Sequence, residues 1–314
     1  MTNPNWIPDD LDLSEYMQSS EMRQKVRAAN EFHDDVCEYL FTEASKAGDR
    51  LPWRKTADLI RFRSGEVTLW TGMNGHGKSL VMGQVITGFA HQRSGTCIAS
   101  LEMLPKITLA RMVKQSAGTG DALSREYATA YLRWAGSNLW LYDHVGHAKR
   151  EKIMALIRYT ADKLKLKHFV IDSLMKCGIG LEDYDAQAAF VSELCDVARD
   201  TGMHVHLVAH SKKQLDESKH PGKMDIKGSG TIGDLVHNII SVWRNKPKER
   251  KLSEGDNSSS GEPDQLLICD KQRNGDWEGK ISLWYHPSSR QYMEAISEQP
   301  HDLKEILPRA NPSK

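Results

Sequence analysis

Apolar runs of strand length alternate with helix-period segments through the middle of the chain. The strand-length runs are GEVTLWTG, GTCIASLE, NLWLYDHVG, HFVIDSL and HVHLVAH. Strands that are apolar throughout are typical of a parallel sheet that helices cover on both faces. The pattern therefore predicts an α/β fold built on a mostly parallel sheet.

The pattern changes after His210, where a polar stretch precedes a short helical segment, TIGDLVH, and a closing run of strands. These strands are NIISVWRN, LLICDKQRN, KISLWYH and RQYMEA. We expect them to form an antiparallel C-terminal edge of the sheet. We expect the intervening stretch, NKPKERKLSEGDNSSSGEPD, to be a solvated, mobile loop.

The ends of the chain differ in composition from its middle. Residues 1–22 are rich in Pro, Asp and Ser and predict an irregular, acidic tail. Residues 23–56 carry helix-period apolar positions and predict a helical linker or oligomerisation segment. We expect the main domain at residues 57–296 and a C-terminal tail at 297–314.

Composition narrows the class of protein. The 314 residues are 39% hydrophobic and 27% charged, which is typical of a globular protein with one sizeable core. Because 42 Lys and Arg balance 42 Asp and Glu, a nucleic-acid contact has to come from a local basic patch. The N-terminal residues are acidic and the longest apolar runs are strand-sized, so we expect no signal peptide, no membrane span and a cytoplasmic location.

Neither the cysteines nor the histidines show the spacing of a metal site. The five cysteines are far apart and contain no CxxC pair, which fits neither a disulfide framework nor a zinc site. His204, His206 and His210 lie close together in HVHLVAH, but no carboxylate flanks them. Ordinary strand histidines are therefore favoured over metal ligands.

The segment GMNGHGKS, from Gly72 to Ser79, matches the pattern G-x-x-x-x-G-K-[ST] between a predicted strand and a predicted helix. Gly72, Gly75 and Gly77 permit a tight backbone whose N–H groups face a phosphate. The start of the following helix adds a favourable electrostatic field. This P-loop predicts nucleotide binding; the alternative is a glycine-rich turn with an exposed lysine.

The side chains of the P-loop suggest what each contributes. Lys78 is expected to hold the terminal phosphates, and the hydroxyl of Ser79 to ligate Mg²⁺. Asn74 and His76 belong to the same loop and are expected to lie against the nucleotide.

Two acidic residues end predicted strands. Asp172 in KHFVIDS ends an apolar strand at the edge where parallel sheets bind ligands, and beside a P-loop it predicts the Walker B aspartate that anchors Mg²⁺. An aspartate at that position is also a common helix N-cap. Glu102 in IASLEM either orients the attacking water or caps the helix that begins at Pro105. From local sequence alone, both interpretations of Glu102 stay open.

The P-loop, SLEM, VIDS, VAHSKK, KGSG and DKQRNG follow one another in a specific order. Together they resemble the helicase domain of DnaB-family replicative helicases, most closely its phage primase-helicase and mitochondrial Twinkle-type branch. The resemblance covers roughly residues 57–293. It implies a RecA-like ATPase core that assembles as a ring, usually a hexamer, and moves on single-stranded DNA with ATP or dTTP and Mg²⁺.

The resemblance also implies roles for individual residues. Glu102 matches the family's catalytic glutamate, and His210 matches the polar sensor that reports the γ-phosphate to the DNA-binding loop. Lys271 and Arg273 match a KxR pair that enters the neighbouring subunit's nucleotide site, where Arg273 acts as the arginine finger. The alternatives on the residues alone are that His210 is a strand-end histidine and that QRNGDW is a charged hairpin turn.

In the family, the segment after the sensor lines the central channel and holds DNA phosphates. Here that segment is rich in lysine, and a ring multiplies its modest positive charge. The DNA-binding residues that the resemblance implies are Lys212, Lys213, Lys223, Lys227, Gly228 and Ser229. The alternative is that this is a solvated loop.

The expected partners follow from the same resemblance. They are single-stranded and forked DNA and further copies of this chain, as a homo-hexamer or heptamer that unwinds duplex DNA during replication. The amphipathic stretch DVCEYLFTEASKA is the candidate contact with the adjacent subunit. Because few residues precede the main domain, we expect either that a primase or loader resides in a separate chain or that the ring is less stable than in longer relatives.

Two other functions share much of this site. A RecA- or RadA-like recombinase has the same nucleotide-binding groups but forms filaments, and a KaiC-like ring ATPase acts on protein. The KxR pair and the SLEM motif favour the helicase over the recombinase. Salt-dependent binding of single-stranded DNA separates the helicase from the ring ATPase.

Overall fold

The computed structural model describes residues 6–7, 11–17, 28–41, 47–118, 123–180, 182–211 and 230–301. The strands in chain order are β1 (Trp6–Ile7), β2 (Asp49–Arg50), β3 (Arg61–Phe62), β4 (Val67–Thr71), β5 (Thr96–Ser100), β6 (Leu139–Tyr142), β7 (His168–Asp172), β8 (His204–Val208), β9 (Asn238–Arg244), β10 (Gln265–Gln272), β11 (Gly279–His286) and β12 (Gln291–Met293). The α-helices are α1 (Ser14–Met17), α2 (His33–Phe41), α3 (Lys78–His91), α4 (Pro105–Ser116), α5 (Arg125–Ala135), α6 (Arg150–Asp162), α7 (Tyr184–Thr201), α8 (Gly230–Leu235) and α9 (Lys246–Ser253). Among the residues described, no helix combines the length and apolar character needed to cross a membrane.

Ten strands form one sheet in the order β1-β6-β5-β7-β8-β4-β9-β10-β11-β12. Each neighbouring pair from β1 to β9 is parallel, whereas β10, β11 and β12 run antiparallel to their neighbours. The predicted α/β fold with an antiparallel C-terminal edge is confirmed. The carboxyl ends of β5, β7, β8, β4 and β9 therefore meet at one edge of the sheet.

Helices cover both faces of the sheet. Along β7, Phe169 and Ile171 belong to one apolar cluster and Val170 to the other, because alternate side chains of a strand point to opposite faces. Leu156 of α6 and Leu194 of α7 pack in the first cluster, whereas α3, α4 and α5 cover the second face. Burial on both faces explains why β4, β5 and β8 are buried at every position.

A row of buried polar side chains crosses the second face. Trp70 Nε1 donates a hydrogen bond to His206 Nδ1 over 3.2 Å, and His206 Nε2 lies 3.1 Å from His168 Nδ1. His168 Nε2 in turn lies 2.8 Å from Asp49 Oδ2. Burial lowers the pKa of His168 and places that of His206 well below its ordinary value. Both rings are therefore neutral, and each can donate one hydrogen bond and accept one.

The described part of the predicted tail packs against the edge of the sheet. Strand β1 pairs with β6, Leu13 is buried in the first-face cluster, and the hydroxyl of Tyr16 donates to Asp162 Oδ2 over 2.9 Å. These residues differ from the irregular tail expected at 1–22, because Leu13 and Tyr16 supply apolar contact surface within a mainly polar stretch.

The end of the predicted linker segment also contributes to the main core. Strand β2 pairs with β3, and Leu51 and Trp53 are buried in the second-face cluster. The indole N–H of Trp53 donates to the carbonyl oxygen of Tyr292 over 2.7 Å. A domain boundary at residue 57 stays a prediction, but residues before it pack with residues after it.

The expected mobile loop after β9 is wrong for its first half, which forms helix α9. Asn245 Oδ1 accepts a hydrogen bond from the backbone N–H of Lys248 over 3.0 Å, and Pro247 lies in the first turn. The buried ammonium of Lys248 lies 2.7 Å from Asp264 Oδ1. An asparagine cap followed by proline is a helix-start signal that the polar composition concealed.

Candidate nucleotide-binding and catalytic site

The P-loop connects the carboxyl end of β4 to the start of α3. Gly72 has φ 147° and Gly77 has φ 83°, both outside the range that side chains readily adopt. A Cβ placed on Gly72 would lie 2.3 Å from the carbonyl oxygen of Val242. The glycines are therefore required by the backbone path and by the close approach of β9.

Lys78 is folded over this loop. Its ammonium donates to the carbonyl oxygens of Gly72 over 2.7 Å and Met73 over 3.0 Å, and the residue is buried. Burial lowers the pKa of Lys78 to about 8, although the charges of Asp172 and Glu102 oppose that shift. An anionic ligand in the loop would stabilise the charged form of this ammonium.

Ser79 and Asp172 lie side by side at the bottom of the cleft. The Ser79 hydroxyl donates to Asp172 Oδ2 over 2.9 Å. Burial raises the pKa of Asp172, and the nearby charge of Glu102 adds to that shift. A hydroxyl and a carboxylate are the hard oxygen ligands that Mg²⁺ takes in combination with phosphate and water. The donor set therefore fits the predicted metal, which would offset the cost of burying the carboxylate.

Glu102 follows β5, beside the end of β7. Its Oε1 accepts a hydrogen bond from the hydroxyl of Ser173 and lies 3.7 Å from Nε2 of His210. The imidazole of His210 and the hydroxyl of Ser173 lower the pKa of Glu102 to about 2, against the opposing effect of burial. The carboxylate is therefore ionised at neutral pH and can accept a hydrogen bond from water.

His210 follows β8 and connects this carboxylate to the polar segment that comes next in the chain. Its Nδ1 is buried and makes no hydrogen bond within the part of the chain that the structure describes. The next residue, Ser211, donates its backbone N–H to the carbonyl oxygen of Gly72 over 3.1 Å. The end of β8 is thus bonded directly to the P-loop.

One cleft of about 1060 Å³ holds these groups together. The residues of the sequence prediction that line it are Asn74, Gly75, Gly77, Lys78, Ser79, Glu102, Asp172 and His210. His76 is buried beside it, where its Nδ1 accepts a hydrogen bond from the backbone N–H of Arg244 over 3.1 Å. The structure thus brings together residues from four separate motifs.

Several residues that line the cleft were not predicted from the sequence. They are Arg111, Lys176, Arg244, Gln265, Tyr285 and Tyr292. The last four come from β9, β10, β11 and β12, on the opposite side of the P-loop from Glu102 and Asp172. The rings of Tyr285 and Tyr292 have centroids 5.3 Å apart. Aromatic rings and a guanidinium on that side suit a nucleoside, whereas the carboxylates suit the terminal phosphate and its metal.

Lys271 and Arg273 do not line this cleft. Lys271 pairs with Ile239, near the start of β9, whereas Arg244 ends that strand at the cleft. Arg273 follows β10 and donates its backbone N–H to the carbonyl oxygen of His237 over 2.8 Å. Both cations therefore lie at the amino end of the parallel strands, away from the P-loop of their own chain.

The DNA-binding residues expected from the resemblance lie outside the described residues. They are Lys212, Lys213, Lys223, Lys227, Gly228 and Ser229. The structure describes both flanks of this segment: Ser211 beside the P-loop and Gly230 at the start of α8.

Comparison with known proteins gives a consistent result. Residues 35–216 match the protein family described as AAA domain. A solved structure of an ATPase domain superposes with a TM-score of 0.68 at 15% identity, covering 85% of this chain and 99% of that one. A DnaB-like replicative helicase, in a structure that describes its interactions with primase, superposes with a TM-score of 0.68 at 16% identity, covering 87% of this chain and 68% of that one.

Proposed function

Because the chain belongs to the AAA-domain family and has the fold of a DnaB-like helicase ATPase domain, we propose that it is a nucleotide-hydrolysing motor that moves on single-stranded DNA and unwinds forked DNA. The observation that carries the proposal is the convergence of Lys78, the Ser79–Asp172 pair and Glu102 in one cleft. A binding protein without turnover has no need for an ionised carboxylate beside the metal ligands.

In the proposed reaction, the backbone N–H groups of the P-loop and the Lys78 ammonium bind the phosphates of ATP or dTTP. Ser79 and Asp172 would hold Mg²⁺, which would neutralise charge on the phosphate oxygens. Lys78 contributes to catalysis because oxygens near it become more negative in the transition state.

Glu102 is the proposed group that orients the attacking water. Its carboxylate is ionised, and Ser173 and His210 hold it from two sides. His210 is the proposed sensor, because it contacts Glu102 and immediately precedes the segment that carries the proposed DNA contacts. A change at the terminal phosphate can therefore reach residues 212–229 through one side chain.

Arg273 is proposed to act on the nucleotide of a neighbouring copy in a ring of six or seven subunits. Within its own chain it lies at the opposite end of the strands from the cleft, so it cannot complete its own site. A guanidinium supplied by a neighbour neutralises charge on the transferred phosphoryl group. Ring closure also gathers the lysines at positions 212, 213, 223 and 227 around one channel.

The apolar side of α2 is the proposed contact with the adjacent subunit. Val36 and Leu40 lie one turn apart on one side of the helix and are 49% and 62% exposed, and the neighbouring Phe41 is 82% exposed, so α2 presents apolar surface that a second subunit could cover. A primase or loader in a separate chain remains part of this proposal; the DnaB-like helicase whose structure is similar interacts with primase.

A nucleotide-dependent unwinding assay on forked DNA tests the proposed function. The parental protein is expected to separate the strands of a fork, and removal of either tail in turn identifies the strand on which it moves. Glu102→Gln is expected to bind nucleotide and lose turnover, while Glu126→Gln, on the exposed side of α5, serves as the matched control.

Three results would contradict parts of this proposal. Turnover by Glu102→Gln at the parental rate would reduce Glu102 to a helix cap. Open helical filaments with a nonhydrolysed nucleotide would favour a recombinase. Hydrolysis without salt-dependent binding of single-stranded DNA would favour a ring ATPase that acts on protein.

A further inference from the structure

Gln265 begins β10 and lines the nucleotide cleft, although the residue is only 1% exposed. Its Oε1 would lie 3.4 Å from a Cβ placed on Gly77, so the amide is next to the P-loop. Within the part of the chain that the structure describes, neither Oε1 nor Nε2 of Gln265 makes a hydrogen bond. Because an amide both donates and accepts, the whole hydrogen-bonding capacity of this side chain is unused.

The other buried glutamines of the described residues are bonded within the chain. Each donates a side-chain N–H to a backbone carbonyl oxygen, as Gln187 does to Gly180 over 2.8 Å. The remaining glutamines bonded in this way are Gln115, Gln272 and Gln291. None of these glutamines lines the nucleotide cleft. Since an unpaired buried amide costs folding free energy, we expect the partner of Gln265 to come from a ligand in the cleft.

The chemistry of the amide limits the ligand group that can pair with it. Phosphate oxygens without a proton accept hydrogen bonds and do not donate them, so a phosphate would leave Oε1 unpaired. The hydroxyls of a ribose both donate and accept, so they can pair with Oε1 and Nε2. The edge of a nucleobase offers the same combination, and the position of Gln265 in the sheet separates these two choices.

That position favours the sugar. Strand β10 lies between β9, whose neighbour β4 leads into the P-loop, and β11, which carries Tyr285. Gln265 pairs with Arg244 on one side and with Leu283 on the other. In a nucleoside triphosphate the sugar joins the phosphates to the base. In the order of the sheet, Gln265 likewise lies between the loop that suits phosphates and a tyrosine ring that suits a base.

We propose that Gln265 is a specificity-determining residue that hydrogen-bonds a sugar hydroxyl of the bound nucleoside triphosphate. This inference rests on the proposed function, and it names a part of the substrate that the chain recognises besides the phosphates. Rotation about its side-chain bonds turns the amide toward a ligand in the cleft without a movement of the backbone. The unpaired amide lowers the stability of the ligand-free chain and provides selectivity between nucleotides once a ligand is bound.

Equilibrium binding of nucleoside diphosphates tests this inference without turnover. The probes are ADP, 2′-deoxy-ADP and 3′-deoxy-ADP, with Mg²⁺ and without DNA. The parental protein is expected to bind one deoxy analogue about tenfold more weakly than ADP, because one buried hydrogen bond is lost. Gln265→Met, which retains an unbranched side chain, should bind ADP about tenfold more weakly than the parent. It should also bind ADP and that analogue equally.

Urea unfolding without nucleotide gives a second readout. Gln265→Met should unfold at a higher urea concentration than the parent, because an apolar group replaces an unpaired buried amide. Gln187→Met is the matched control, since the amide of Gln187 is buried and bonded to Gly180. This variant should unfold at a lower urea concentration and should retain the parental ratio of affinities for ADP and the deoxy analogue.

Three results separate the inference from its alternatives. Equal affinities of the parental protein for ADP and both deoxy analogues would overturn it, as would a parental ratio that Gln265→Met retains. If Gln265→Met instead changes only the ratio between ADP and GDP, the amide binds the base and the assignment to the sugar is wrong. A protein that shows the expected dependence on the sugar hydroxyl but fails to unwind forked DNA contradicts the proposed function, and the role of Gln265 stands.

Discussion

Polar groups have different surroundings at the two ends of the parallel strands. At the carboxyl end, Lys78, Glu102 and Asp172 place three ionisable groups in one open cleft, and burial shifts the pKa of Lys78 down and that of Asp172 up. At the amino end, polar groups complete one another, as His168 and Asp49 do at 2.8 Å. The groups at the carboxyl end can pair with a bound ligand, whereas the polar groups at the amino end pair with one another.

This difference separates function from stability within a single sheet. Buried charged groups without a full set of partners cost folding free energy and are retained where a ligand later pairs with them. Buried polar groups that pair within the chain contribute to the native structure itself. Substitutions at the carboxyl end should therefore reduce turnover, whereas substitutions at the amino end should reduce stability or alter the position of an element.

The largest expected effect is that of Lys78→Ala. Hydrolysis should fall by about a thousandfold or more, because the ammonium acts on oxygens that gain charge in the transition state. The free energy of unfolding should change by less than about 1 kcal/mol, since burial already disfavours the charged lysine. Steady-state hydrolysis and urea unfolding measure the two quantities, with Arg133→Ala on the exposed side of α5 as control. A Lys78→Ala variant that loses stability but still hydrolyses nucleotide would contradict the assignment of function to the carboxyl end and stability to the amino end.

Arg273→Ala tests whether Arg273, at the amino end of the strands in one subunit, acts on the nucleotide at the carboxyl end of the strands in another. Nucleotide should still bind, and hydrolysis should fall on the order of a thousandfold, as expected for loss of an arginine finger. Mixing Arg273→Ala with Lys78→Ala subunits should restore measurable hydrolysis, because some interfaces then combine an intact P-loop with an intact arginine. A monomer that hydrolyses at the full rate, unaffected by Arg273→Ala, would exclude action between subunits.

Acid should reduce the contribution that the buried histidines make to the free energy of unfolding. Burial lowers the pKa of His168 and His206 and lowers that of His204 to about 3, so the unfolded chain binds more protons than the folded chain below the ordinary histidine pKa of 6.5. The stability contribution of these rings is complete above pH 6.5. It should be lost as the pH falls, by up to about 1.4 kcal/mol per pH unit for each ring.

Urea unfolding between pH 7.5 and pH 5 measures that slope. His168→Gln is expected to lower stability and to flatten the slope by one ring's share, whereas His147→Gln, at an exposed position, should do neither. An equal slope in all three proteins would mean that the buried row does not govern acid stability.

The smallest expected effect concerns residues 212–229, which carry the proposed DNA contacts. Lys227→Ala should weaken single-stranded DNA binding by about tenfold at most, with little dependence on base sequence. The slope of log affinity against log salt should become shallower by about one, because one fewer phosphate is neutralised. Titrations at several salt concentrations measure both, with Lys280→Ala as control. An unchanged slope for Lys227→Ala and for the Lys212/Lys213 double alanine would remove this segment as the DNA site.

The carboxyl end could be largely predicted from the sequence. Gly72–Ser79, Glu102 and Asp172 each end an apolar strand, and carboxyl ends of parallel strands meet at one edge, so local motifs imply their proximity. The structure confirms the parallel sheet and brings these residues into one cleft. Their individual roles stay predictions.

The side of the cleft that β9 to β12 form and the contacts of Lys271 could not be predicted in the same way. Tyr292 reaches the P-loop only because β9 to β12 add to the sheet in one order, and no fixed spacing in the sequence marks that order. The bonds from Lys271 to α8 depend on the register between β10 and β9. The polar composition of residues 245–264 predicts a loop, although Asn245 and Pro247 mark the start of helix α9.

The row of buried polar side chains on the second face also affects the register in which the strands pair. Strands β7, β8 and β4 are neighbours, and each is apolar enough that many alignments would bury a similar surface. A slip of one residue would turn His206 to the opposite face, away from both Trp70 and His168. Trp70 Nε1 and both ring nitrogens of His206 would then lose these partners while still buried, so the row disfavours a slip of one residue. Asp49 belongs to β2, which lies outside the main sheet, so its contact with His168 also favours one position of β2 against β7.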